Sequence, residues 1–291
     1  MPGGTTSRKL EVFVLHAVND NRAVNYRELF DFIASIPARE RSIERGEKLV
    51  AIPELTVSSS RVSFVAYEGP LGTNPLIFDS SEARARIERL SSGEVLATRT
   101  HGVIDLRQRE AVVEFNHRGA KAHEVASVFE ELGRRNPNWK ALALELNPLP
   151  TAEFLAEIQK FRRVRLASIR VARPNPAWNR SYEILKDVAE ESSGQTIDLA
   201  VTAGRGQSLS TRGGIIRWIR ELVSERLPPL KNATIVGTRE GEDDETVVSL
   251  ARYHQHQRVR VRLTSDGHVD GQDIQEKIRG YLDQRTHRST S

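Results

Sequence analysis

Hydrophobic residues recur along this chain in two rhythms. Short runs rich in β-branched and aromatic residues predict strands over residues 10–15, 49–55, 61–67, 76–78, 111–115, 139–146, 196–201, 233–238, 246–253 and 258–263, with a strand-rich stretch at 94–106. Spacings of three and four predict helices. Leu29, Phe30, Phe32, Ile33 and Ile36 form one apolar stripe, and Val125, Val128, Phe129 and Leu132 form another. The first helix has its own start signal, Asn25 as N-cap with Glu28 three positions on, and Pro37 marks its end. Further helices are expected from Ser80 or Ser81 to Leu90, from Thr151 to Phe161, and over 182–191, 215–227 and 274–282. The alternation predicts an α+β (mixed α/β) fold, with mixed sheets, packed helices and two lobes.

Residues 160–180 are the most distinctive stretch. They carry Arg162, Arg163, Arg165, Arg170, Arg173 and Arg180, and no acid. Val164 and Leu166 share one strand face, while Ile169 and Val171 follow the opposite phase, which predicts a bulge near Ala167-Ser168. Pro174 and Pro176 stop the strand, because proline brings no amide donor to a ladder. The same prolines predict a stiff joint between one body at 9–173 and a second lobe at 177–291. Residues 1–8 and 286–291 read as flexible tails.

Composition changes this picture in three ways. Cysteine is absent, which excludes disulfides, thiolate catalysis and cysteine-held zinc. No apolar run approaches the ~20 residues of a membrane helix, and residues 1–7 are polar, so a cytoplasmic location is expected. The net charge is only +4, yet 35 of the 43 basic residues are arginine, whose planar fork suits phosphate.

The arginines gather in three windows that contain no acid: 161–182, 199–220 and 251–265. The second holds Arg205, Arg212, Arg217 and Arg220; the third holds Arg252, Arg258, Arg260 and Arg262. Alternation puts Arg258, Arg260 and Arg262 on one strand face and Val259, Val261 and Leu263 on the other. For any single window a solvated sheet face explains the charge. Three windows in one chain point to nucleic acid.

Other chemistry is thinner. Residues 204–214 are glycine-rich and precede a helix, but Leu209 stands where a third glycine would fall and no Gly-Lys-Ser/Thr follows, so this is not a Walker loop. His254 and His256 share a strand face near Asp266, His268 and Asp270, yet a surface strand explains them better than a metal site. No acid-base set converges in the sequence. No cofactor and no catalysis are expected. Two rival classes stay open, a nuclease or nucleotide hydrolase built on these features, and an interaction protein with no nucleic-acid role. The acidic run 240–245 reads as a hairpin tip, or as a clamp that competes with DNA for arginine.

The order of elements and several strings resemble the RexA family of phage exclusion proteins. The strongest part runs from Glu110-Ala111-Val112-Val113-Glu114-Phe115-Asn116-His117-Arg118-Gly119 through a helix, residues 139–148, a second helix and the basic strand. A further part is Ala233-Thr234-Ile235-Val236-Gly237-Thr238-Arg239, followed by the acidic turn. The resemblance implies a homodimeric, sequence-nonspecific double-stranded DNA binder with a globular body and a swivel-like lobe, distantly like the recombination regulator RdgC. It would act as cytoplasmic sensor for a membrane protein of the RexB type in a prophage-encoded, abortive-infection system. It supplies no catalytic residues. The expected DNA contacts are Arg118, Arg162, Arg163, Arg165, Arg170, Arg173, Arg205, Arg212, Arg217, Arg258, Arg260 and Arg262.

Overall fold

The computed structural model describes residues 4–20, 22–81, 83–172, 192, 196–224 and 230–289. Its architecture follows from one long strand, β1 (Thr5–Asn19). Residues 12–15 of β1 are apolar and buried, so both faces of this strand are covered. One edge of β1 pairs with β9 (Glu110–Phe115). The other edge is shared end to end by β10 (Leu142–Pro148), opposite residues 13–19, and β15 (His256–Arg262), opposite residues 5–11. Beyond β9 the sheet continues through β8 (Thr98–Asp105), β5 (Arg61–Pro70), β4 (Lys48–Val57) and β3 (Ser42–Arg45), while the short β2 (Arg22–Ala23) also pairs with β1. Each of these pairings is antiparallel. The fold is therefore α+β with sheet predominant.

Helices cover the two faces of this sheet. On one face lie α1 (Tyr26–Ser35) and α2 (Ala122–Arg134), over a core that contains Phe13, Leu15, Phe64, Leu144 and Leu146. Phe129 of α2 meets Phe30 and Phe64 edge to face, at centroid distances of 5.1 and 5.5 Å. Asn25 caps α1 through its side chain as expected, accepting from the amides of Arg27 and Glu28. At the other end, buried Arg41 donates to the carbonyls of Ala34, Ile36 and Pro53, so orphan carbonyls of the last turn find a partner.

The opposite face holds Leu10, Val12 and Val14, packed with Val261 and with Ile274, Ile278 and Leu282 of a helix here numbered α5 (Gly271–Ser289). A second, four-stranded sheet has the order β12 (Thr196–Thr202), β11 (Phe161–Ala172), β13 (Leu230–Arg239), β14 (Glu245–Ser249). Helices α3 (Ala152–Gln159) and α4 (Gly214–Ser224) bury Phe154, Ile158, Ile216 and Ile219 in its core.

Several expectations change. The expected helix over 80–90 is instead β7 (Arg84–Ile87), paired with β6 (Leu76–Asp79). Asp79 accepts from the amide and hydroxyl of Ser81, and this side-chain turn returns the chain as a hairpin. The phase slip in β11 exists, but the register shifts nearest to it lie between Val164 and Leu166 and between Arg170 and Val171, not at Ala167-Ser168. Phe161, Val164, Ala167, Ile169 and Val171 are the buried set. Residues 5–8 are strand, because β15 supplies their ladder partners, and α5 runs on to Ser289 where a tail was expected. The pairing also divides the chain differently from 9–173 and 177–291. β11 belongs with β12, β13 and β14, whereas β15 and α5 return to the first sheet, where Val261 and Ile274 find their core. The expected joint at Pro174–Pro176 and helix over 182–191 lie outside the described residues.

One close approach tests this packing. Phe64 lies directly across from Gly102, and a Cβ added there would sit 2.2–2.8 Å from three atoms of the Phe64 ring. Gly102→Ala is expected to destabilise the protein by about 1–3 kcal/mol, the cost of overpacking a tight core. Chemical denaturation checks this; equal midpoints for the two proteins would contradict the packing.

Candidate nucleic-acid interface

Register brings basic residues from distant parts of the chain onto one face. Arg258 pairs with Lys9, Arg260 with Ser7 and Arg262 with Thr5. Directly paired residues of antiparallel strands project to the same side. The three arginines are exposed, while Val261 behind them is fully buried and Val259 packs against the same core. On the far edge of β1, Lys9 pairs with Phe115 of β9. The row Arg258–Lys9–Phe115 therefore crosses three strands.

The turn after β9 adds to this row. Lys121, the N-cap of α2, donates its ammonium to the carbonyls of Asn116 and His117, and its amide to the Glu124 carboxylate. The ammonium groups of Lys9 and Lys121 lie over the Phe115 ring, 5.2 and 5.4 Å from its centroid. Arg118 is exposed in the same turn, its amide donating to Asn116 Oδ1. Arg258 and Arg260 have no carboxylate within ion-pair distance among the described residues. Arg262, at the outer rung, stands 3.6 Å from Asp270 and 3.5 Å from Asp273.

The other expected DNA contacts have different surroundings. Arg162, Arg163, Arg165 and Arg170 are exposed on β11, and neighbouring strands supply acids to Arg165 and Arg170. Arg165 pairs with Glu245 of β14. Arg170 donates twice to Asp198 of β12, at 2.7 and 3.1 Å. These guanidiniums hold Glu245 and Asp198 below the usual carboxylate range, and the arginines are held charged in turn. Arg163 donates to the carbonyl of Gln207. Arg173 lies outside the described residues.

Arg205 and Arg212 are exposed on the loop before α4. That loop is fastened to β11 by Leu209, whose amide donates to the Val164 carbonyl at 2.8 Å, and its Gly213 amide is taken by Ser210 Oγ. Arg217 on α4 stands 3.6 Å from Glu221. The structure thus gathers Arg258, Arg260 and Arg262 into one rank and leaves the other described candidates on other elements. It also adds Lys9 and Lys121. Each is a lone lysine in sequence, and only strand register and the turn after β9 reveal their placement.

The histidine pair is engaged with protein groups. His254 Nε2 lies 2.9 Å from the Glu11 carboxylate, its Nδ1 meets the Ala251 carbonyl, and His256 Nδ1 meets the His254 carbonyl. Among the described residues no three His, Asp or Glu side chains gather as metal ligands. Asp270 instead accepts from the amides of Gln272 and Asp273 at the start of α5.

Burial pushes the Glu11 carboxyl up, but its contacts with His254 and Lys9 outweigh burial and hold it below its ordinary value of 4.5. A carboxyl depressed in the folded state contributes stability above its unfolded pKa and loses it as pH falls through the folded one. The stability difference between the wild type and Glu11→Gln should therefore be constant at neutral pH and shrink below pH 4.5. Urea titrations at stepped pH measure it; a difference that grows on acidification would contradict the assignment.

No protein-family model matches the chain, and no curated protein matches it, so the reading of this surface rests on its geometry.

Proposed function

We propose that this chain binds double-stranded DNA without reading its sequence, and that the exposed face of β15 and β1 makes the contact. The observation that carries this reading is the row of Arg258 and Arg260, without a carboxylate partner among the described residues, on a strand whose reverse side is buried. Side chains two apart on a strand repeat at about 6.7 Å. That matches roughly two 3.4 Å rises of one DNA strand along the duplex axis. A flat rank of guanidiniums supplies charge at regular intervals. Base reading in the major groove is more often done by a helix, and α5 packs against the reverse of the sheet here.

Phosphate contact of this kind favours the β15 face over β11. Arg165 and Arg170 of β11 must give up Glu245 and Asp198 before they take a phosphate, whereas Arg258 and Arg260 have no carboxylate partner among the described residues. The resemblance drawn from the sequence frames the role we attach to this activity: a homodimeric cytoplasmic DNA sensor in a prophage exclusion system, with a RexB-type membrane protein as its effector.

Binding to unrelated duplexes over a range of salt tests the reading. Removing one phosphate-binding side chain should flatten the slope of log affinity against log salt by about 0.9. Arg258→Gln/Arg260→Gln should therefore bind all duplexes more weakly, with a slope lower by roughly two. An unchanged slope would contradict the site. A weakening that varies with base sequence would mean that these side chains read base edges.

A further inference from the structure

A polar cavity lies on the other face of the first sheet, between the strands and the start of α5. Its volume is about 290 Å³, at the lower bound of the roughly 300–1,000 Å³ that small-ligand pockets occupy. Strand register assembles its floor. Arg99 and His101 stand two apart on β8 and so share a face. They pair with Tyr67 and Val65 of β5, and Ser63 is the next β5 residue on that face. Gly271, Gln275 and Arg279 of α5 form the roof.

His101 is only 2% exposed, yet it lines this cavity. One of its ring nitrogens is fixed. Nδ1 lies 2.8 Å from Oε2 of the buried Glu114. That oxygen also accepts from the His101 amide, and Arg8 stands 3.4 Å from Oε1. The carboxylate therefore acts as acceptor and Nδ1 carries the proton, which leaves Nε2 of the neutral ring as a bare acceptor. Nε2 faces Gly271, where an added Cβ would stand 3.5 Å from it. It has no hydrogen-bond partner among the described residues. Gln275 adds a second unmet acceptor. Its Nε2 donates to the Phe64 carbonyl at 3.0 Å, and its Oε1 has no partner.

The cavity also has positive charge to offer. Arg99 rests on the Tyr67 hydroxyl and the Val269 carbonyl, and Arg279 on the Ser63 hydroxyl. Neither guanidinium has a carboxylate within ion-pair distance among the described residues. Glu54 is the one acid among the lining residues; it is exposed and accepts from the Tyr67 hydroxyl.

We propose that this cavity binds a small oxyanion that carries its own O–H group, of the hydrogen phosphate type, at a site separate from the β15 face. Guanidiniums that hold no carboxylate suit its charged oxygens. His101 Nε2 accepts its hydroxyl, held in position through Nδ1 by Glu114. Gln275 Oε1 stands ready for a further donor. An anion with no proton to give would leave Nε2 unpaired and would meet Glu54 as a like charge. The pairing of acceptors with guanidiniums thus selects phosphate over sulfate.

Calorimetric titration of the full-length protein at neutral pH and constant ionic strength tests this, with no DNA present, so the result is independent of the β15 reading. Inorganic phosphate should bind about tenfold or more tightly than sulfate, the penalty of a buried acceptor left unpaired. Glycerol 3-phosphate identifies the source: tighter binding than inorganic phosphate makes the ligand a phosphate ester, weaker binding makes it free phosphate, and either supports the site. Arg279→Gln, at an exposed position, should keep the melting temperature of the anion-free protein and weaken phosphate about tenfold. Gly271→Ala should set a methyl group against Nε2 and shrink the preference for phosphate over sulfate. Equal affinity for the two anions, no heat from phosphate at millimolar concentration, or undiminished binding by Arg279→Gln would each overturn the assignment.

Discussion

The structure depends on a single strand being longer than any of its partners. β1 spans 15 residues, and one of its edges is completed by two strands that are far apart in sequence, β10 and β15. Where they meet, the amide of Val12 donates to the Gln255 carbonyl and the Val12 carbonyl accepts from Leu149. Unpaired backbone groups are costly once buried, so the outer half of β1 requires the return of β15. That return places three arginines next to Lys9 and buries Val261 beneath α5. Sheet register is thus what turns scattered basic residues into a surface.

The contrast between β11 and β15 shows what charge patterns along a chain miss. Both segments are free of acid in sequence. In the fold, β11 is flanked by strands that carry Asp198 and Glu245, and these engage Arg170 and Arg165. An exposed ion pair is worth only about 0–1 kcal/mol to stability. It matters more to binding, since a phosphate must displace a carboxylate already in place. The Glu245 contact also gives the acidic hairpin between β13 and β14 a physical role. It occupies Arg165 and leaves β15 as the less encumbered face.

Local signals carry most of the elements. The alternating valines of 258–263, the apolar stripes of α1 and α2, and the Asn25 cap are all legible, because each depends on residues within a turn or two of one another. The departures are of two kinds. Over 80–90, Ser80 and Ser81 before a charged run look like a helix start, but the Asp79 side chain organises a hairpin turn in which Ala83 takes a positive φ of 50°. The division into 9–173 and 177–291 relies on prolines, whereas strand partnership depends on which apolar faces need covering. Candidate site residues follow the same rule. The Arg258, Arg260 and Arg262 face is readable from period-two alternation alone. Lys9 and Phe115 join it only through cross-strand register, and Lys121 through the turn after β9.

On the proposed reading, pairing in space, rather than charge in sequence, decides which arginines meet DNA. Two variants of equal net charge separate these ideas, Arg258→Gln/Arg260→Gln and Arg165→Gln/Arg170→Gln. The deciding measurement is affinity for one duplex at one moderate salt concentration. We expect affinity to fall tenfold or more in the β15 variant and to change little in the β11 variant, whose guanidiniums are already engaged by Glu245 and Asp198. Equal weakening in the two, or a greater weakening in the β11 variant, would contradict the assignment of DNA contact to β15.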